Sequence, residues 1–306
     1  MATEIWTVGR VLEVAAQRFR ERGIDTHRLD AELLLAAVLG CNRTRLYLDL
    51  MKPLADDERA RYRESVRRRS DREPVAYITG RRGFWEGDFL VTPGVLVPRP
   101  ETESIVERAL DVAKDLPDFP RLRVLDLGVG SGALALSLAR ELPEAEVWGV
   151  DASDAALACA EANRARFGLE ARVTLRRSVW FDAIDPEERF DLIVANPPYI
   201  PGDDIAGLMP EVSRWEPRAA LDGGPDGLRD IRAIVASAPV HLRRSGWLLM
   251  EFGEGQEDAV LALAQAEPRL DATRIFRDYA GRPRVLAARG RETTAPAPTG
   301  CGNPHG

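Results

Sequence analysis

The sequence predicts an α/β fold, a parallel sheet covered by helices on both faces, preceded by a small N-terminal helical domain. Three observations carry that expectation. From Arg123 onward, short runs of β-forming residues alternate with stretches of helical length, and a glycine-rich turn joins the first such pair; alternation of this kind is the pattern of strands joined by crossover helices. Residues 1–75 show only helical spacing. The chain has 306 residues, 45% of them hydrophobic, enough for two domains or one large one.

In the N-terminal part, Val8, Val11, Leu12, Ala15 and Phe19 recur at helical intervals, as do Leu29, Leu33, Leu34, Ala37 and Val38 before Gly40. Asp56-Asp57-Glu58 then stands where an acidic first turn suits the helix dipole. The helix behind it carries Arg59, Arg61, Arg63, Arg67, Arg68, Arg69 and Arg72, diluted by Glu58, Glu64 and Asp71. That run has two readings, a solvated helix face or a docking surface for an acidic macromolecule. Residues 76–100 change character: Tyr77-Ile78-Thr79, Phe84-Trp85 and Phe89-Leu90-Val91 alternate with Gly80, Gly83, Gly87 and Pro93, the signature of a β-hairpin linker. In residues 101–290, strands are expected at 124–127, 147–150, 173–175, 192–195 and 247–251, with helices at 133–141, 154–166, 228–238 and 256–266. The tail, residues 291–306, has no periodicity and reads as disordered.

Composition excludes several classes. No apolar run approaches the length of about 18 residues that a membrane span needs, and the first residues lack the basic-then-apolar order of a signal peptide. Cys41, Cys159 and Cys301 are far apart and odd in number, so neither a disulfide framework nor a metal site is expected, and a reducing cytoplasm fits. A net charge of −7 argues against a protein built to grip a phosphate backbone.

Asp126-Leu127-Gly128-Val129-Gly130-Ser131-Gly132 lies between the first strand and its helix. Glycine there lets the chain turn sharply and lets a ligand come closer than a Cβ permits. Asp151 ends the next strand, where a carboxylate can accept from both hydroxyls of a ribose. These features indicate a nucleoside-bearing cofactor without choosing between NAD and S-adenosylmethionine, because Gly128, Gly130 and Ala133 also satisfy the looser dinucleotide fingerprint.

The fourth strand ends in Asn196-Pro197-Pro198-Tyr199. In an open α/β sheet the ligand crevice lies outside the carboxyl ends of the strands, so this tetrapeptide faces the cofactor. Pro197 drives Asn196 out of the helical region, and Pro198 fixes a second φ. The Asn196 side-chain oxygen and the Pro197 carbonyl can then both accept from one –NH₂ group, with Tyr199 offering a flat face. Such a site suits a planar nitrogen with two hydrogens, methylated through orientation and desolvation without a strong base. His27, His241 and His305 lie outside every motif, so none is assigned a catalytic part. A hydride-transferring oxidoreductase would need an acid/base residue that the motifs do not contain, and a non-catalytic binding protein would not need them intact.

At this point the chain resembles the HemK/PrmC family of release factor glutamine methyltransferases over nearly its whole length. Arg72-Glu73-Pro74-Val75-Ala76-Tyr77-Ile78-Thr79-Gly80 resembles the family's interdomain segment, and Leu96-Val97-Pro98-Arg99-Pro100-Glu101-Thr102-Glu103 its signature before the catalytic domain. Glu216-Pro217-Arg218-Ala219-Ala220-Leu221 and Gly223-Gly224-Pro225-Asp226-Gly227-Leu228 resemble the loop after the acceptor site. The resemblance implies a seven-stranded, Rossmann-like class I methyltransferase domain that uses S-adenosylmethionine to methylate N5 of the glutamine in the Gly-Gly-Gln loop of peptide chain release factors. It implies that Gly128, Val129, Gly130, Ser131, Gly132, Asp151, Trp180 and Asn196 line the cofactor, that Asn196, Pro197, Pro198 and Tyr199 hold the glutamine amide, and that no metal takes part. The helical domain would dock the release factor, and a monomer without membrane or nucleic-acid partners is expected. Val179 stands where family members often carry an acid toward the adenine. The alternative is an adenine-N6 nucleic-acid methyltransferase, since Asn-Pro-Pro-Tyr by itself is shared with that class.

Overall fold

The structure is a computed structural model and describes residues 5–291. The expected disorder of the tail, together with Cys301 and His305, falls outside those residues apart from Arg291. The chain divides into two compact units: the first holds the chain up to Gly83, Asp88–Val97 and Ala206–Arg218; the second holds Phe84–Gly87, Pro98–Ile205 and the chain from Ala219 on.

The first unit is helical. Its elements are α1 (Val8–Glu21), α2 (His27–Leu39), α3 (Arg43–Leu48), α4 (Asp56–Ser70) and α5 (Val75–Thr79). Thr7 and Asn42 cap α1 and α3 by accepting from the amides of Arg10 and Arg45. Val8, Val11, Ala15 and Phe19 of α1 are buried against Leu34, Leu35, Leu46 and Tyr62, as the spacing of α1 predicts. The spacing read in α2 has the wrong phase. Leu29 and Ala37 are exposed, and Ala31, Leu34, Leu35 and Ala36 are the buried face. Six successive apolar residues, Leu33 to Val38, leave the burial face undecided until neighbours choose it. Residues 75–79 also depart from expectation, forming the helical turn α5 where Tyr77-Ile78-Thr79 suggested a strand. Pro74 starts the turn, Gly80 ends it in the left-handed region, and the Tyr77 hydroxyl donates to the Val95 carbonyl at 2.7 Å. That tertiary anchor outweighs a weak β preference.

The hairpin itself is shorter than the sequence suggested: β1 (Arg81–Phe84) and β2 (Gly87–Leu90) form a two-stranded sheet.

The second unit contains α6 (Glu103–Ala113), β3 (Arg123–Leu127), α7 (Ala133–Glu141), β4 (Glu146–Asp151), α8 (Asp154–Phe167), β5 (Val173–Arg177) and β6 (Phe190–Ala195). The short α9 (Pro210–Ser213) belongs to the first unit, and then follow α10 (Arg229–His241), β7 (Leu242–Glu251), α11 (Glu257–Ala266), β8 (Leu270–Arg277) and β9 (Pro283–Gly290). The seven-stranded sheet has the order β5-β4-β3-β6-β7-β9-β8. β5, β4, β3, β6 and β7 run parallel, and β9 is antiparallel to both β7 and β8. Val124, Leu125, Leu127, Val147, Val150 and residues 192–195 are buried without alternation, as strands covered on both faces must be. β3 lies between β4 and β6, so the strand order reverses there and opens a crevice at the carboxyl ends.

Candidate active site

Register sets the site. Leu127 of β3 pairs with Val150 of β4 and Ala195 of β6, and Ala195 pairs with Met250 of β7. The next residue on each strand is therefore level with the others: Gly128, Asp151, Asn196 and Glu251 stand side by side along the carboxyl edge. The sequence placed the first three there; Glu251 was expected only as the last residue of a strand.

The glycine turn leaves β3 with Gly128, Gly130 and Gly132 all at positive φ (79°, 54° and 86°). The amides of Gly128 and Val129 both donate to the Val150 carbonyl, at 2.8 and 2.9 Å. Asp151 accepts from the Gly130 amide with one oxygen and from the Ser153 amide with the other, each at 2.9 Å. Burial pushes the Asp151 carboxyl up, and the amides of Gly130, Ser153 and Ala152 pull against it. Buried Asn163 donates to the Ser131 carbonyl at 2.8 Å and ties the turn to α8. A Cβ on Gly128 would lie 3.6 Å from the Trp180 ring, so this tryptophan sits beside the turn. Trp180 itself sits at φ 46°, and its indole N–H donates to Asp230 at 3.3 Å. Val179 beside it is 54% exposed.

Asp126, one residue inside β3, has the most displaced carboxyl of the turn. Burial pushes it up to about 7, the Ala135 amide opposes this, and the charge of Asp151 adds to it. Its Oδ2 accepts from Ala135 at 3.0 Å, whereas its Oδ1 is buried with no partner. An orphaned buried acceptor of this kind is unusual and calls for a donor, which a ligand can supply.

On the acceptor side, residues 196–199 follow β6 outside any helix or strand. The Asn196 Nδ2 donates to the Thr102 hydroxyl at 3.0 Å, and Thr102 donates to Glu251 at 2.7 Å. The Tyr199 hydroxyl donates to the other Glu251 oxygen at 3.0 Å. Burial pushes Glu251 up, and its bonds from Thr102 and Tyr199 and the charge of Arg284 hold it down. Burial likewise raises the Tyr199 phenol, which stays neutral. Behind the tetrapeptide, Gln256 donates to the Tyr199 carbonyl at 2.8 Å and accepts from the Gly253 amide at 2.8 Å. The Gly-Gly-Pro-Asp-Gly loop closes on the same backbone: the Ile200 amide donates to the Leu221 carbonyl, the Gly223 amide donates to the Ile200 carbonyl, and a Cβ on Gly227 would stand 2.2 Å from the Tyr199 carbonyl oxygen. No bulkier residue fits there.

The strand ends thus gather every sequence-derived candidate: Gly128, Val129, Gly130, Ser131, Gly132, Asp151 and Trp180 on one side, Asn196, Pro197, Pro198 and Tyr199 on the other. Asp126, Thr102, Glu251 and Gln256 are additions. An acid closing a parallel strand was the available signal for Glu251, the same one that singled out Asp151. The histidines lie elsewhere. His27 begins α2, and His241 is buried at the end of α10, stacked on Phe181 with centroids 4.7 Å apart and its charge disfavoured by burial. Among the described residues, no group of three His, Cys, Asp or Glu is arranged to hold a metal, and no helix is long and apolar enough to cross a membrane.

Comparison with known proteins finds matches over most of the chain. Residues 10–80 match the PrmC N-terminal domain, and residues 110–210 match the methyltransferase small domain. A release factor glutamine methyltransferase of Geobacter sulfurreducens is 48% identical over 260 residues, 85% of this chain and 89% of that protein. One from Cereibacter sphaeroides is 44% identical over 278 residues, covering 91% and 96%. Among solved structures, the hMettl16 catalytic domain in complex with an RNA hairpin shares the fold, with a TM-score of 0.53 and 16% identity over 79% of this chain and 84% of that one.

Proposed function

The chain belongs to the release factor glutamine methyltransferases, and on that premise we propose that it transfers a methyl group from S-adenosylmethionine to N5 of the glutamine in the Gly-Gly-Gln loop of peptide chain release factors. The observation that carries the proposal is the Asn196 side chain: its nitrogen is turned inward to Thr102, which leaves its oxygen as an acceptor beside the Pro197 carbonyl. Two acceptors next to each other match the two hydrogens of a carboxamide nitrogen.

The residues present suit the cofactor. The turn from Gly128 to Gly132 brings backbone close to a ligand where side chains would block it. Asp151 would hold the ribose hydroxyls, the Trp180 ring would cover the cofactor, and the unpartnered Asp126 oxygen is an acceptor suited to an ammonium group. When bound, S-adenosylmethionine supplies a methyl group on a positively charged sulfur, a strong electrophile for nitrogen.

A carboxamide nitrogen is a poor nucleophile because its lone pair is shared with the carbonyl. Asn196 and Pro197 accept both its hydrogens and so hold the group planar, fixed and turned toward the glycine turn. Accepting those hydrogens also draws electron density toward the nitrogen and stabilises the positive charge that grows on it. Tyr199, kept neutral by burial, offers a face to the amide. The extra proton departs after transfer, so no side chain must act as a strong base. The helical unit, outside the strand-end cluster, is the part proposed to grip the release factor, in a cytoplasmic and monomeric enzyme. The adenine-N6 reading has no observation of its own in its favour, because the relatives that align with 85% or more of the chain are protein methyltransferases.

Mass spectrometry of a bacterial release factor incubated with the protein and S-adenosylmethionine tests the proposal. One added methyl on the Gly-Gly-Gln glutamine, absent when that glutamine is replaced, is the expected result. Cofactor binding without that product, and methyl transfer to DNA or RNA instead, would overturn it.

A further inference from the structure

We infer that Thr102 and Glu251 are positioning residues for Asn196: together they set the direction of its side-chain amide, so that the nitrogen points into the protein and the oxygen is left for the incoming –NH₂. The inference rests on the proposed function and deepens it, by assigning a task to the Pro-Arg-Pro-Glu-Thr-Glu segment that the sequence singled out without explaining.

An asparagine amide has two ends of nearly the same shape, one accepting and one donating. Only one direction works here. With the oxygen outward the site accepts from the substrate nitrogen; with the amide flipped it would oppose hydrogens with hydrogens. Nothing in Asn196-Pro197-Pro198-Tyr199 alone distinguishes the two directions, because the prolines fix backbone angles and not the end of the Asn196 side chain.

The distinction comes from a chain of three bonds. An ionised carboxylate can only accept. Glu251 takes the Thr102 proton on Oε2 at 2.7 Å and the Tyr199 proton on Oε1 at 3.0 Å. Thr102 has one proton, and giving it to Glu251 leaves only lone pairs to face Asn196. Asn196 must therefore meet Thr102 with its Nδ2, and does so at 3.0 Å. A single buried carboxylate thus dictates the polarity of both polar side chains in the tetrapeptide. Glu251 and Thr102 are 1% and 5% exposed, which keeps water from offering either of them a different partner. Burial raises the Glu251 carboxyl, and the bonds from Thr102 and Tyr199 and the charge of Arg284 oppose that rise in favour of the ionised form that this arrangement needs. The residues come from separate places in the chain: Thr102 precedes α6, Asn196 follows β6 and Glu251 ends β7.

Two substitutions of Thr102 separate polarity from packing. Thr102→Val keeps the shape and loses the hydroxyl; Thr102→Ser keeps the hydroxyl and loses a methyl. If Thr102 only fills space, valine is the better replacement. If it sets polarity, valine leaves the Asn196 Nδ2 without an acceptor, and kcat should fall about ten- to a hundredfold while KM for the release factor and cofactor affinity move little. Serine should be hurt far less in kcat, even where its melting temperature is the lower of the two. Valine matching or exceeding serine in kcat overturns the inference.

A second readout works without any substrate. In ¹⁵N spectra of the full-length protein, the Asn196 side-chain signals are those missing from Asn196→Ala. One of their two hydrogens should be shifted and slow to exchange in the parent protein and in Thr102→Ser, and ordinary in Thr102→Val and Glu251→Ala. If the parent protein binds S-adenosylmethionine yet methylates no release factor, the proposed substrate is wrong, and these spectra still decide the inference. A protected hydrogen lost with the Thr102 hydroxyl supports it, and a freely exchanging pair in the parent protein refutes it.

Discussion

Two carboxyl-edge residues carry opposite kinds of prediction. Asn196→Ala removes an acceptor for the substrate amide and nothing from the glycine turn, so kcat should drop about a hundredfold or more, with S-adenosylmethionine affinity changed less than about threefold. Single-turnover kinetics beside calorimetric cofactor titration checks this, and equal losses in both would remove Asn196 from the acceptor side. Asp126 instead acts on stability. Burial raises its carboxyl to about 7, so the folded protein binds this proton more tightly than the unfolded chain does. Its contribution to stability is therefore fully present below the ordinary carboxylate value and is lost as pH rises toward about 7. Asp126→Asn cannot ionise, and its oxygen can still accept from the Ala135 amide. Without cofactor, the melting temperature of the variant minus that of the parent should be more positive at pH 8 than at pH 5, by roughly 5 °C; a difference independent of pH would show that the carboxyl is not buried as described. Asp151, the glycines and Asn196 were legible in the sequence because each declares itself locally, as an acid after a strand, a turn, or a residue before proline. Thr102 and Gln256 were not, since their partners lie 94 and 57 residues away and no local pattern encodes such a bond; Glu251 closes a strand as Asp151 does, but its bond to Thr102, 149 residues away, is not written locally either.

Elements bring these residues level, and the loop after the acceptor strand shows how tightly. Gly227 sits at φ 73°, and a Cβ there would stand 2.2 Å from the Tyr199 carbonyl oxygen and 2.5 Å from the Gln256 amide nitrogen. Gly168, the residue closing α8, has nearly the same backbone angle, φ 67°, with no atom within 4 Å of its ideal Cβ. Alanine at Gly168 should thus incur only the left-handed backbone cost of about 1 kcal/mol. Alanine at Gly227 adds a collision that pushes the tetrapeptide off Gln256. It should destabilise by about 3 kcal/mol and lower kcat beyond what the loss of folded protein explains. Urea titration and kcat per folded molecule compare the two variants, and equal effects would deny the close approach. Most of the parallel part of the sheet was visible beforehand, since strands buried on both faces are continuous apolar runs such as residues 192–195. β8 and β9 were not read. β9 begins at Pro283 and carries Ala287 and Ala288, weak strand formers whose pairing comes from β7 and β8, and β8 is only half buried.

At the scale of the whole molecule, the arginine run shows the difference between residues that hold a unit together and residues that stay at its surface. Read along the chain, the seven arginines form one basic stretch. In the fold they divide. Arg69 is buried and bonds Asp30 at 2.7 Å and Glu211 at 2.7 Å, Arg72 shares Glu211, and Arg68 pairs with Glu73. Glu211 belongs to Ala206–Arg218, a segment far along the chain that folds with the helical unit, and composition gave no hint of it. Burial alone would raise the Glu211 carboxyl, but Arg72 and Arg69 hold it below its ordinary range. Breaking this cluster should be severe: Arg69→Met leaves Asp30 and Glu211 short of a partner, at about 3 kcal/mol. Arg61 and Arg63 are exposed; Arg59 and Arg61 pair at the surface with Asp56 and Asp57, worth at most about 1 kcal/mol each, and Arg61 also donates to the Val38 carbonyl at 2.8 Å in an exposed bond. Reversing Arg59, Arg61 and Arg63 to Glu should therefore spare the fold. If the helical unit grips an acidic face of the release factor, KM for the intact factor should rise several-fold at low salt and approach the parent's value as salt is added, while KM for a short Gly-Gly-Gln peptide stays the same. A parallel rise for peptide and protein would mean that these charges act on the active site, and no rise for either would move the docking surface off this helix.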